Sequence, residues 1–227
     1  MKRVLIMLAA MSGSLKCERC GMPEVVTEEL RPIGGSCRRV GTGTVLIPLG
    51  LYLLGALFWL RAFWYAELLS LDWRLTRVYQ QILERALLGG QIPYVSDFHH
   101  YTDRYLGTPE TPLSPQYLLL PWMDVWAFNL FNIIFLYSLS FLGLLCIRRR
   151  HQLTVLSFTL LFLLFSFNGS IVVRVGVGHS MWFGYFLLPF VYLFLFDILE
   201  RRRVRPAEYG LAGALFLMAL QGSFHLL

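Results

Sequence analysis

The sequence predicts an all-α, polytopic membrane protein with about five transmembrane helices and an amphipathic surface helix in the first outer loop. Two observations predict it. Of the 227 residues, 56% are hydrophobic and only 15% are charged, whereas a soluble domain carries roughly 25% charged residues because its surface faces water. The deficit is concentrated in long uncharged runs, several of them near the about 20 residues a helix needs to cross a bilayer. The second observation is where the arginines fall. They form short clusters between those runs: Arg38–Arg39, Arg148–Arg149–Arg150, and Arg201–Arg202–Arg203 with Arg205. Compact basic clusters beside apolar spans mark the cytoplasmic side. A formal charge of +6 would suit nucleic acid if the arginines shared one face of a folded module. They do not, so no nucleic-acid partner is expected, and the lipid bilayer is.

Residues 1–42 read as a cytosolic N-terminal tail, without a fold of its own. Met1–Ala10 has a basic start and an apolar stretch too short to span a membrane. Cys17 and Cys20 have zinc-knuckle spacing, and Cys37 follows. A closed zinc site takes four ligands, and neither a fourth cysteine nor a histidine is nearby, so no metal site is expected there. With Cys146 beside an arginine cluster, all four cysteines fall on the side where disulfides are rare, and no structural disulfide is expected.

Residues 43–227 form the transmembrane domain. The first span covers about 43–60 and ends in Arg61, Phe63, Trp64 and Tyr65, a composition suited to the interface. Residues 66–117 make a long outer segment. Within it Leu71, Leu75, Val78, Ile82, Leu83, Ala86 and Leu87 recur at helical spacing, while Arg74, Arg77, Gln80, Gln81, Glu84 and Arg85 fill the opposite face. That pattern predicts a helix lying along the membrane surface, stopped by Gly89-Gly90. A loop rich in Pro, Gly, Tyr, His and Asp follows. The remaining spans are expected at about 118–147, 153–167, 181–199 and 209–227. Residues 168–180 return toward the outer surface between the third and fourth. The chain stops inside an apolar run, which suggests the N-terminal part of a longer protein.

Ionisable groups near membrane depth are expensive, so their clustering marks a candidate site. Three groups of them fall on the outer side: Asp72 at the start of the surface helix; Asp97, His99, His100 and Asp103 in the loop; and Arg174 with His179, with His225 at similar depth. Each has a plainer reading. Asp72 also suits a helix N-terminus, the loop residues also suit a turn-rich connection, and Arg174 also suits a snorkelling arginine. His99-His100 with flanking Asp has no diagnostic metal spacing. The sequon Asn168-Gly169-Ser170 lies against a span end and reads as coincidental.

The order of these features resembles the GT-C superfamily of membrane glycosyltransferases, which includes protein mannosyltransferases, aminoarabinose transferases and YfhO-like bacterial proteins. Asp72-Trp73-Arg74 opens the amphipathic helix. Leu88-Gly89-Gly90-Gln91-Ile92-Pro93-Tyr94, Gly107-Thr108-Pro109 and Pro112-Leu113-Ser114-Pro115 follow in the family's order. Arg174-Val175-Gly176-Val177-Gly178-His179, with Leu187-Leu188-Pro189 after it, is similar to a second outer loop of such proteins. The resemblance covers residues 43 to 227 and implies sugar transfer from a polyprenyl-phosphate donor on the outer face of the cell membrane. It implies that Asp72 is the catalytic carboxylate, with Asp97 and Asp103 as further catalytic candidates. Arg174, His179, His99 and His100 are the candidates for binding the donor. Many members carry paired acids where this chain has Asp72-Trp73, so a divalent cation stays an open question. The resemblance also implies that this stretch alone is inactive, since such proteins build their site with additional spans. Two rivals remain: a transporter or flippase, which would place charges mid-span in repeated halves, and a non-catalytic membrane assembly protein, which would tolerate substitution at Asp72.

Overall fold

A computed structural model describes residues 43–69, 71–91, 113–201, 204–223 and 226. The sequence places Cys17, Cys20 and Cys37, the loop residues Asp97, His99, His100 and Asp103, and His225 outside the described residues. The chain divides into two compact units, Met1–Leu49 and Gly50–Leu227; the packing below is that of the second.

Every regular element among the described residues is helical. In chain order they are α1 (Gly43–Leu69), α2 (Leu71–Leu88), a 3-10 helix (Pro115–Trp122), α3 (Val125–Arg150), α4 (Val155–Ser166), α5 (Gly169–Val177), a second 3-10 helix (Ser180–Leu187), α6 (Leu188–Leu199) and α7 (Val204–Leu220). Four segments are long and apolar enough to cross a membrane: Leu46–Trp64, Val125–Arg150, Val155–Val177 and Ser180–Leu199. The expected fifth, at 209–227, coincides with α7, which spans only 17 residues. It ends in a turn at Gln221 and Gly222, whose φ of +76° no longer continues a helix. The second span also starts later than expected, at Val125, because Pro115 and Pro121 hold the preceding turns in a 3-10 helix.

A larger difference concerns residues 168–180. The sequence reading makes them a connecting loop, yet Gly169–Val177 is helical. Asn168 is the reason. Its side-chain oxygen accepts from the backbone N–H groups of Ser170 and Ile171, at 3.1 and 3.4 Å, and so starts a new helix just where α4 ends. The third apolar segment therefore runs on to Val177 as two helices.

Aromatic packing sets the directions of the helices. Tyr52 near the start of α1 stacks on Tyr137 of α3 with centroids 5.5 Å apart, while Trp64 near its other end meets Trp126 edge-on at 4.9 Å. The two helices are therefore antiparallel. Gly143 of α3 lets α6 approach closely: a Cβ there would lie 2.7 Å from the Pro189 Cβ, as small residues permit at helix crossings in membranes. Trp59, Phe63, Trp73, Tyr137, Phe158, Phe162, Phe183 and Phe186 form one buried core. Outward, Leu53, Leu54 and Leu57 of α1, Leu156, Leu160 and Leu164 of α4, and Leu195 and Leu199 of α6 are exposed. Apolar exteriors on several helices are the converse of a water-facing surface and fit association with a bilayer.

The bundle thus has two polar ends. One carries Arg148 to His151 and Glu200 to Arg201. The other carries the start of α2, the end of α5, residues 113–116 and Gln221.

α2 follows its predicted bounds and most of its predicted faces: Leu83 is buried with Ile82 and Leu87 packed beside it, while Arg74, Gln81 and Arg85 are exposed. Two residues depart from the pattern. Gln80, expected on the polar side, is 2% exposed, whereas Leu75, expected on the apolar side, is 40% exposed. A reciprocal amide pair explains why Gln80 turns inward. Gln80 Nε2 donates to Asn129 Oδ1 at 2.6 Å, and Asn129 Nδ2 donates back to Gln80 Oε1 at 2.9 Å. Leaving either amide buried without the other costs about 1–3 kcal/mol. We expect Gln80→Leu and Asn129→Leu each to lower unfolding stability in detergent by that amount, and the double replacement to recover most of it. A double variant as unstable as the two losses summed would show that the amides do not act as a pair.

Candidate functional site

The start of α2 and the end of α5 meet at one polar end of the bundle. Trp73, the third residue of α2, is the anchor. Its ring is buried between Phe63, edge-on at 4.8 Å, and Phe183 at 6.1 Å. Its indole N–H donates to the Val175 carbonyl at 2.9 Å, a bond linking residues 102 positions apart. An aromatic ring with one polar atom suits this place, because the body joins the core while the N–H reaches a helix end.

The end of α5 is shaped by Gly178. Its φ of +104° ends the helix. The Gly178 N–H donates to the Val175 carbonyl at 3.1 Å and the His179 N–H to the Arg174 carbonyl at 3.0 Å, the paired bonds of a Schellman motif. Gly178 also lies directly against the start of α2. A Cβ at this position would sit 2.6 Å from the Trp73 backbone nitrogen and 2.8 Å from the Asp72 Cβ.

The chain leaves this turn so that the His179 ring faces Asp72. His179 Nε2 lies 3.3 Å from Asp72 Oδ2, with the two side chains 38% and 53% exposed. Asp72 sits in the first turn of α2, where the partial positive charge of the helix end favours a carboxylate. Arg174, one turn before Gly178, is exposed, and its guanidinium lies over the Trp182 ring at 4.2 Å from the centroid. Stacking of this kind holds an arginine in place and leaves its N–H donors free to point outward.

Three of the residues singled out in the sequence, Asp72, Arg174 and His179, thus stand at the same end of the bundle, and two of them touch. Asp97, His99, His100 and Asp103 lie outside the described residues. Asp72 and His179 supply two donors for a cation, and no group of three His, Cys, Asp or Glu side chains forms among the described residues.

The site has supports that the sequence reading did not single out. Trp182 follows His179 by three residues, and nothing in its local pattern marks it as the shelf for Arg174. Gly178 did carry a signal, since a glycine just past an arginine-bearing helix end suits the position after a C-cap. A second set of amides fastens the same end. Gln116 Nε2 donates to Asn132 Oδ1 at 3.1 Å and to Gln221 Oε1 at 2.9 Å, and Ser114 also donates to Gln221. Beside them Ser223 Oγ accepts from the Gly184 N–H at 2.9 Å and donates to the Met181 carbonyl. These bonds tie residues 113–116, α3, α7 and the second 3-10 helix together. Burial raises the nearby Tyr117 phenol well above its ordinary pKa, so it stays protonated.

Compared with known proteins, the chain matches no family model, no curated protein and no solved structure.

Proposed function

We propose that this protein is a membrane glycosyltransferase that takes a sugar from a polyprenyl-phosphate donor, with its working end on the outer face of the cell membrane and its N-terminus in the cytoplasm. The observation that carries the reading is the 3.3 Å approach of His179 to Asp72, with Arg174 held over Trp182 at the same end. A carboxylate, an imidazole and a guanidinium are the groups that the transfer needs. Asp72 takes the proton of an acceptor hydroxyl as its oxygen bonds to the anomeric carbon. The bond from that carbon to the phosphate oxygen breaks, and its electron pair leaves with the lipid phosphate. Arg174 offsets the charge that grows on the phosphate. His179 holds the Asp72 carboxylate in place and completes the polar lining. Arginines clustered at the opposite end, at Arg148 to Arg150 and Arg201, support the orientation, since compact basic clusters mark the cytoplasmic side.

Proteoliposomes holding the full-length protein and a polyprenyl-phosphate donor labelled in its sugar test this reading. The expected result is that label leaves the lipid for a hydroxyl acceptor while free polyprenyl phosphate accumulates in equal amount. A donor that crosses to the other leaflet chemically intact would instead identify a transporter.

A further inference from the structure

The end of the bundle opposite Asp72 carries a basic surface that sugar transfer does not use. Arg150 is its fixed point. Its guanidinium reaches Asp197 and, at 2.9 Å, Glu200 of the α6 end, and donates to the Leu193 carbonyl at 2.9 Å. One arginine therefore occupies both carboxylates that α6 brings to this end. Arg148 lies over the Phe158 ring at 5.2 Å. Arg149, Arg201 and Arg205 are exposed, and no ion pair engages them among the described residues. Arg201, two residues past the end of α6, has a left-handed backbone, φ +53°. Arg205 shares a face of α7 with Tyr209, four residues on, which is 79% exposed. An exposed tyrosine beside an arginine at the end of an apolar helix is the chemistry of the headgroup layer.

Charge decides what this surface fits. Among the described residues of this end, the basic Arg148, Arg149, Arg150, Arg201 and Arg205 outnumber the acidic Asp197, Glu200 and Glu208, and Arg202 and Arg203 follow Arg201 in the sequence. The Asp197 and Glu200 carboxylates are held by Arg150, so the excess stays on exposed guanidiniums. Guanidinium binds phosphate oxygens in a forked geometry, and basic clusters next to a span attract anionic lipid.

We propose that this end is a docking surface for an anionic phospholipid leaflet, with headgroup phosphates seated on Arg149, Arg201 and Arg205. The proposal rests on the reading of the chain as a membrane protein, and does not depend on the sugar-transfer chemistry at the other end.

The full chain in phosphatidylcholine nanodiscs, with and without phosphatidylglycerol, provides the test. Incorporation into the neutral nanodiscs checks the membrane reading by itself. Native mass spectrometry then reads which lipid stays bound on release, and thermal melting reads the stabilisation. We expect phosphatidylglycerol to be retained in preference and to raise the melting temperature. An arginine close to an anionic surface contributes about five-fold in partition, so R149Q/R201Q/R205Q should lose roughly 10- to 100-fold of the preference. The single variants R149Q and R205Q should each lose a part of it, which keeps the test decisive if the triple variant does not fold. R74Q/R85Q, which removes two charges from α2, should lose none. Equal retention of both lipids by the wild type, or an equal loss in R74Q/R85Q, overturns the proposal. So does displacement of the lipid by inorganic phosphate with full stabilisation, which would make this a site for the free anion.

Discussion

Replacing Asp72 with asparagine is expected to slow sugar transfer by about 10²- to 10⁴-fold, the contribution of a positioned general base. The fold should survive. The side chain is 53% exposed, asparagine has nearly the same shape, and its amide oxygen still accepts from the His179 ring. What is lost structurally is a charge in the first turn of α2, worth about 0.3–1 kcal/mol and screened by salt. The rate is to be measured with the full-length protein in membranes, at matched protein level. Activity within a few-fold of wild type would make Asp72 a structural residue of the α2 start, and the carboxylate would have to be sought at Asp97 or Asp103.

Gly178→Ala carries the largest expected effect on stability. Alanine adopts a positive φ only at a cost of about 1–2 kcal/mol, and the φ here is +104°. Its methyl group would also lie 2.6 Å from the Trp73 nitrogen and 2.8 Å from the Asp72 carbonyl carbon. Backbone atoms do not move aside as the tip of a side chain does. Strain of this kind typically adds about 1–3 kcal/mol, so the total should reach roughly 2–5 kcal/mol. Because the displaced backbone bears Asp72, transfer should fall along with the melting temperature. Gly176→Ala is the matched control. Nothing lies within 4 Å of a Cβ there, and alanine in a helix gains about 0.5–1 kcal/mol over glycine. If Gly178→Ala melted like Gly176→Ala, the ends of α2 and α5 would not meet as described.

The sequence was most legible where one property dominates over many residues. Uncharged apolar runs located the first and fourth long spans to within about four residues, and the second and third with one end each misplaced, at Val125 and Val177. Period and stop signals located α2 and its end. It was least legible where a single polar atom decides. Asn168 begins α5 through two bonds of its side chain, although Asn-Gly-Ser in sequence reads as a loop. Gln80 goes inward because Asn129 meets it with matching donors and acceptors, and no periodicity contains that partner. Asp72, Arg174 and His179 were each visible as ionisable groups near a span end. Their convergence was not, because it depends on the Trp73–Val175 bond across 102 residues and on the room that Gly178 leaves. Helix α7 read as a span because hydropathy alone continues past Leu220, whereas the backbone turns at Gln221.

The claim that Asp72 and His179 work as one unit is tested most directly by a double-mutant cycle on the transfer rate, comparing wild type, Asp72→Asn, His179→Ala and the double variant in the same membranes. If His179 acts by holding the carboxylate, it has little left to contribute once the charge is gone, because residues acting as a unit are not additive. The double variant should then be no slower than the slower single variant, within a few-fold. Losses that multiply, each residue slowing transfer by the same factor whether or not the other is present, would show that the 3.3 Å contact does not couple them and would contradict the site proposed here.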